Sequence, residues 1–194
     1  LEYYTARGGL YSVGLFYKQM QGFYYDKITR FNGAYDSTGQ PIPVAGGLLE
    51  YTKAENANGA VNRGVELIAQ QKLYFLPKPL GNFGVSLSAT FTDSDAKYPD
   101  RPNEKLPTFG FSKTMFTSSL EYVQGKFRGQ ISYRYRSDYL SSLAATANDI
   151  FAAREQVDVE LSYRLAKRLK LFASGDNLTS RPQISYFGFP AYAN

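Results

Sequence analysis

The segment Phe127-Arg-Gly-Gln-Ile-Ser-Tyr-Arg-Tyr-Arg136 decides the fold. Its odd positions are apolar, aromatic or small, whereas its even positions are all polar and include three arginines. Successive side chains of a β-strand point to opposite faces, so the segment predicts a strand with one apolar and one strongly polar face. Such a strand suits either a soluble β-sandwich or a membrane barrel. The number of similar strands and the lengths of their connections distinguish the two.

Alternation of this kind recurs along most of the chain. The parity slips near Lys113, where we expect a β-bulge. Further strands are predicted at Leu1–Thr5, from Tyr11 to about Tyr25, at Val61–Phe75, Phe83–Thr92, Leu106–Tyr122 and Val157–Arg164, and from Leu169 to about Asn177.

The predicted connections alternate between short and long. Turns near Gly8, Pro79, Gly125 and Lys167 are short. A membrane barrel has short turns on one side and long loops on the other, whereas a soluble sandwich has no reason to sort its loops in this way. The long connections are predicted as loops at Asp26–Ala57, Asp93–Lys105 and Ser137–Ala153, with a possible helical turn at Ala144–Ala147.

The composition fits this interpretation. Aromatic residues make up 16% of the 194 residues, which suits sheet surfaces and the aromatic girdles of membrane barrels. The mean hydropathy of −0.36 taken alone would favour a soluble protein. No stretch approaches the roughly 18 continuous apolar residues of a membrane-spanning helix, but half of each barrel strand is polar and would escape that test.

The absence of Cys and His from the sequence limits the chemistry available. It excludes disulfides, thiol catalysis, the usual general base and the commonest metal ligand, so we predict neither an enzyme nor a cofactor. Asp93, Asp95 and Asp100 resemble a calcium loop, but Lys97-Tyr98 interrupts the required pattern, and no metal site is predicted. The net charge of +5 is spread along the chain, so nucleic acid is not expected as a partner.

Desolvation of the arginines determines which face meets lipid. A one-residue shift of the Phe127–Arg136 strand would turn Arg134 towards hydrocarbon, at a cost of roughly 2–4 kcal/mol near the bilayer midplane. It would also remove Ile131, Tyr133 and Tyr135 from the apolar environment. The polar face is therefore expected to look into a water-filled lumen.

The order of short motifs resembles the C-terminal part of the barrel of TonB-dependent outer-membrane receptors, closest to the type found in Caulobacter and Xanthomonas relatives. The resemblance covers nearly the whole chain. The motifs are Gly14-Leu-Phe-Tyr-Lys18, Asn62-Arg-Gly-Val-Glu66, Leu76-Pro-Lys-Pro-Leu80, Ala89-Thr-Phe-Thr92, Leu120-Glu-Tyr122, Ser132-Tyr-Arg-Tyr-Arg136, Val157-Asp158, Leu161-Ser-Tyr163 and Asp176-Asn-Leu-Thr179.

The resemblance implies an all-β fold: an antiparallel transmembrane β-barrel of 22 strands, of which residues 1–194 supply about eight. It also implies an N-terminal plug domain and a TonB box that engages the TonB–ExbB–ExbD complex. The plug and the final strand are expected to lie outside this chain. Leu1 is not an initiator Met, and Gly188–Asn194 has a loop-like composition, so the chain is expected to be an interior fragment.

The implied function is active import of a scarce ligand, such as a ferric siderophore or an oligosaccharide, across the outer membrane of a Gram-negative bacterium. Outer-membrane lipid, the plug and a small-molecule ligand are the implied partners. Two alternatives stay open: a passive porin or small structural barrel, and a soluble lipocalin-like carrier. The short Leu1–Thr5 segment argues against an eight-stranded closed barrel.

The candidate ligand-binding residues lie on the polar face or near the long connections. Arg134 and Arg136, with Arg128 and Arg164, could attract an anion, or they could pair across strands with Glu121, Asp158 and Glu160 or with the plug. Aromatic rings near the outer ends of strands could stack on a ligand or form an interfacial girdle. The candidates of this second kind are Tyr25, Tyr98 and Tyr139.

Overall fold

The computed structural model of this protein describes residues 1–32, 34–42, 48–144 and 148–188. These residues form β-strands and a short 3-10 helix, Leu80–Asn82. No helix in these ranges is long and apolar enough to cross a membrane. The strands are β1 (Glu2–Tyr4), β2 (Gly9–Met20), β3 (Tyr24–Asn32), β4 (Ala34–Tyr35), β5 (Pro41–Ile42), β6 (Leu48–Asn56), β7 (Gly59–Lys72), β8 (Phe83–Lys97), β9 (Thr114–Gln124), β10 (Phe127–Arg136), β11 (Tyr139–Ala144), β12 (Asn148–Phe151), β13 (Arg154–Ala166), β14 (Leu169–Gly175) and β15 (Ser185–Gly188).

Eight of these strands form one antiparallel sheet in the order β1-β2-β7-β8-β9-β10-β13-β14. Its register places apolar side chains beside apolar ones and polar side chains beside polar ones. Ile131 in β10 lies opposite Leu120 and Val159, and Gln130 lies opposite Glu121 and Glu160. The alternation predicted from sequence is therefore confirmed as two continuous faces, one apolar and one polar.

The apolar face lacks a protein cover over the described residues. Leu15, Ile131 and Leu171 on this face are 81, 46 and 53% exposed. Soluble monomers rarely expose a continuous apolar area of this extent, because contact with water is unfavourable. The sheet therefore requires an apolar environment on this side.

The long connections differ from the predicted loops. Residues 26–57 contain most of β3 and all of β6, which pair as a hairpin, and residues 137–153 contain the β11–β12 hairpin. The loop prediction was wrong there because these strands lack the clean two-residue alternation that a half-buried strand shows. The predicted helical turn falls largely outside the described residues, since Ala144 ends β11 and residues 145–147 are not described.

Two strand boundaries also differ from those predicted. β8 runs on to Lys97, into the predicted Asp93–Lys105 loop, and β9 begins only at Thr114. The expected bulge near Lys113 is therefore wrong, because the change of parity there marks the start of a strand. Upstream of it, Leu106 makes only an isolated bridge to Ala96.

The hairpins combine into a second sheet, called the cap sheet here, in the order β15-β12-β11-β3-β6. Its central β11–β3 pairing is parallel and joins Leu143 to Lys27. The hydrophobic core lies beside these hairpins, at the long-connection end of the large sheet. Its buried members are Tyr25, Ala57, Ala60, Ala96, Tyr98, Leu106, Leu140 and Leu143.

Gly64 in β7 allows a close approach between neighbouring strands. A Cβ atom at this position would lie 2.1 Å from the carbonyl oxygen of Phe91 and 2.6 Å from the ring of Phe16. Real side chains do not tolerate such distances, so any larger residue here requires the backbone to move.

We predict that Gly64→Ala destabilises the large sheet by about 1–3 kcal/mol through overpacking. Gly84→Ala is the matched control, because its Cβ would meet only ordinary contacts at 3.9 Å. Urea unfolding of the full-length protein in detergent measures both free energies of unfolding. Equal stability of the two variants would contradict the close approach.

Candidate functional site

A cavity of about 370 Å³ opens on the polar face at the long-connection end of β9, β10 and β13. The register brings its arginines together: Arg134 lies opposite Thr117 and Gln156, and Arg136 lies opposite Met115 and Arg154. We call it the arginine cavity. Its lining residues are Met115, Thr117, Arg134, Tyr135, Arg136, Tyr139, Ala152, Arg154, Gln156 and Gln183.

Arg134 is neutralised within the sheet. Its guanidinium forms an ion pair with the carboxylate of Asp158. Asp158 Oδ1 also accepts hydrogen bonds of 2.8 Å from Gln156 Nε2 and from the backbone N–H of Asn177. Asp158 therefore orients Arg134 and neutralises its positive charge.

Arg128, near the short-turn end of the same face, is paired in a similar way. Its Nε lies 2.7 Å from Oε1 of Glu121 on β9. Cross-strand pairing, one of the two alternatives for the polar-face arginines, thus accounts for the charges of both Arg128 and Arg134.

Arg136 is held by neutral groups. Its Nε donates a 2.6 Å hydrogen bond to Ser112 Oγ, and Nη2 donates to the carbonyl oxygen of Gly110. The guanidinium carbon lies 3.7 Å from the centre of the Tyr139 ring, a cation–π contact. These contacts fix the orientation of Arg136 but supply no negative charge.

Arg154 is the site residue that the sequence prediction missed. Its side-chain Nε is buried and has no hydrogen-bond partner. Within the described ranges, no carboxylate forms a salt bridge with Arg154 or Arg136. In Val157–Arg164 the even-numbered residues are polar. Extending this alternation towards the N-terminus would have placed Arg154 on the polar face. The prediction started that strand three residues too late, and the β10–β13 register that sets Arg154 beside Arg136 is not visible in the sequence.

Of the five predicted ligand contacts, Arg134, Arg136 and Tyr139 line this one cavity. Tyr25 and Tyr98 lie elsewhere, in the buried core, where they are 3% and 1% exposed. Tyr98 donates a 2.9 Å hydrogen bond to the carbonyl oxygen of Pro107 and packs edge-on against Tyr25, with ring centres 5.1 Å apart. Both rings are covered by protein, so the structure gives them a packing role.

A polar network joins the β3–β6 hairpin to the segment after β8. Asp100 accepts hydrogen bonds from Lys27 Nζ at 2.8 Å and from Tyr25 Oη at 2.9 Å. The bond from Lys27 lowers the pKa of Asp100 below its ordinary 3.8, and the same bond raises the pKa of Lys27. The pKa of Tyr25 is raised mainly by burial and, to a smaller extent, by the hydrogen bond to Asp100.

The acidic residues that resemble a calcium loop in the sequence have different partners in the structure. Asp93 pairs with Arg63, with 2.7 Å between Oδ2 and Nη2, whereas Asp100 pairs with Lys27. The described residues contain no group of three or more His, Cys, Asp or Glu side chains suited to a metal ion.

Comparison with protein families gives the context for this geometry. A family model described as TonB dependent receptor-like, beta-barrel, matches residues 1–178. The chain belongs to this family. The family is one of Gram-negative outer-membrane transporters, so the apolar face is the lipid side of a barrel wall and the polar face is the lumen side. None of the curated proteins compared with this sequence matches it.

We predict that Asp100→Asn loosens the contact between the β3–β6 hairpin and residues 98–108. The lowered pKa of Asp100 means that its ion pair stabilises the fold above about pH 3.8. That contribution is lost as the pH falls through the lower folded value. Hydrogen exchange of this hairpin should therefore be faster in the variant at pH 7, and the difference from wild type should vanish in stronger acid.

Asp36→Asn is the control for this experiment. Asp36 accepts hydrogen bonds from Thr38, Gly39 and Gln40 in its own turn. Unchanged exchange in the Asp100 variant would show that the network does not hold the hairpin.

Proposed function

We propose that this chain forms part of the wall of an energy-dependent importer in the outer membrane of a Gram-negative bacterium. One observation carries the proposal: across eight strands, the register keeps an uncovered, mainly apolar face apart from a mainly polar face. The six long strands have 10 to 15 residues, which matches the roughly 9–11 tilted residues that cross a bilayer. They are β2, β7, β8, β9, β10 and β13.

In this proposal, a scarce ligand such as a ferric siderophore or an oligosaccharide arrives at the long-connection end. The cap sheet and the arginine cavity lie at that end and offer it polar contacts. A plug domain elsewhere in the full-length protein closes the lumen until the TonB–ExbB–ExbD complex pulls on it. The order of motifs further supports a receptor of the type found in Caulobacter and Xanthomonas relatives.

The sheet edges argue against a small closed barrel. β1 and β14 are the outermost strands of the sheet, each with a single strand neighbour. The sheet thus has the form of a wall segment of a larger barrel, which supports the importer over an eight-stranded porin.

We predict that deleting the gene abolishes growth of its host on one scarce nutrient and that deleting tonB has the same effect on that nutrient. Growth on iron-limited medium and on a glycan as sole carbon source would show which class of nutrient is imported. The energised mechanism requires TonB, whereas a passive porin does not. Uptake that persists without TonB would overturn the importer proposal.

We also predict that Ile131→Lys lowers the free energy of unfolding by roughly 2–4 kcal/mol, because it places a cation near the middle of the lipid face. Gln130→Lys is the matched control on the lumen face. Its strand partners are Glu121 and Glu160, so the new charge should be tolerated. Urea unfolding of the full-length protein from lipid vesicles measures both, and equal effects would contradict the assignment of the faces.

A further inference from the structure

We propose that Arg136 and Arg154 form a subsite for an anionic ligand bearing carboxylate or phosphate groups. The proposal rests on the proposed import function, because the arginine cavity opens into the lumen through which the ligand would pass. It names the chemistry of the ligand, and it adds Arg154 as a residue that determines specificity.

The first argument is the opposition of two like charges. Arg136 in β10 and Arg154 in β13 are direct cross-strand partners on the lumen face. Side chains at such positions have Cβ atoms roughly 4.5–5.5 Å apart, and like charges there destabilise a sheet. An anion between the two guanidinium groups would turn this repulsion into attraction.

The second argument is the contrast with neighbouring arginines. The sheet supplies Glu121 to Arg128 and Asp158 to Arg134. In the described part of the chain it supplies no carboxylate to Arg136 or Arg154. Two unneutralised charges thus occur together beside a cavity, and both side chains are half-buried. Arg164 and Lys170, a like-charge pair at the short-turn end of the same face, are exposed to solvent, which screens their repulsion.

The third argument is a buried donor without an acceptor. The Nε of Arg154 is shielded from solvent and makes no hydrogen bond. Buried polar groups nearly always have partners, because leaving one unsatisfied costs free energy. An oxygen acceptor in the adjacent cavity would satisfy this atom, and the volume of about 370 Å³ lies within the range of small-molecule sites.

The surroundings of Arg136 suit recognition rather than loose attraction. Ser112, Gly110 and the Tyr139 ring fix its guanidinium plane before any ligand arrives. A planar guanidinium held in this way can offer paired N–H donors to carboxylate or phosphate oxygens. Gln183, whose Nε2 donates a 3.4 Å hydrogen bond to Tyr139 Oη, supports the ring from its other end.

The test titrates the full-length protein, in detergent and low salt, with citrate, with inorganic phosphate and with maltose as a neutral probe. Isothermal calorimetry measures the affinity of wild type, Arg136→Gln, Arg154→Gln and the control Arg128→Gln. Loss of a charge-assisted contact should weaken citrate or phosphate binding about tenfold to a hundredfold in the first two variants. Binding to the control should stay within about twofold, because Arg128 lies at the short-turn end and pairs with Glu121.

Melting temperatures measured without the anions distinguish two sources of the missing negative charge: a bound ligand, or a carboxylate elsewhere in the receptor. If the two charges await a ligand, Arg154→Gln relieves repulsion and should leave the melting temperature unchanged or raise it. A lowered melting temperature would show that a side chain of the receptor already neutralises Arg154, and would overturn the proposal. Citrate and phosphate binding no tighter than maltose, or equal binding by wild type and both variants, would also overturn it.

Failure of this inference is distinguishable from failure of the import proposal. TonB-dependent uptake of a neutral nutrient, without anion binding, would reject the anionic subsite alone. Anion binding that depends on Arg136 and Arg154, in a protein whose uptake ignores TonB, would support the subsite and reject the energised mechanism.

Discussion

The antiparallel hydrogen-bond register of the large sheet fixes which side chains share each face. Because side chains alternate, a slip of one residue between any two strands would exchange the faces of everything beyond it. The observed pairings avoid this: Val13 lies opposite Leu67, Leu67 opposite Ala89, and Ile131 opposite both Leu120 and Val159. Lipid on one side and water on the other make such a slip costly, so the surroundings help to hold the register.

The two ends of the barrel wall are built differently as a result. Short turns at one end need only close hairpins, and they bury little. At the other end, the long connections form the cap sheet and the hydrophobic core around Tyr98 and Leu106. The guanidinium of Arg101 donates a hydrogen bond to the side-chain oxygen of Asn148 in β12, and Lys27 forms an ion pair with Asp100. Charged residues therefore join separate connections to one another. The wall is stabilised by its environment, whereas the cap is stabilised by its own packing.

Charge on the lumen face follows the same division. Towards the short-turn end and midway along the wall, Arg128 and Arg134 pair with carboxylates on adjacent strands, whereas Arg164 is exposed and lies opposite Lys170. At the cap, Arg136 meets a hydroxyl, a carbonyl and an aromatic ring, and Arg154 retains an unsatisfied N–H. Among the described residues, this half-buried pair of positive charges lies at the end of the wall where the long connections begin.

Apart from the bounds of β8 and β9, the strands of the wall, their two faces and the sorting of short and long connections could be predicted from sequence alone, because a period of two residues is local and needs no tertiary contacts. The sequence also predicted Arg134, Arg136 and Tyr139 as ligand contacts, and the structure places all three around the arginine cavity. It did not reveal the cap strands, whose pattern is irregular, or the burial of Tyr25 and Tyr98, which depends on segments distant in sequence. The pairing of Arg136 with Arg154 was decided only by the β10–β13 register, since two residues eighteen positions apart become neighbours through backbone hydrogen bonds that no local pattern encodes.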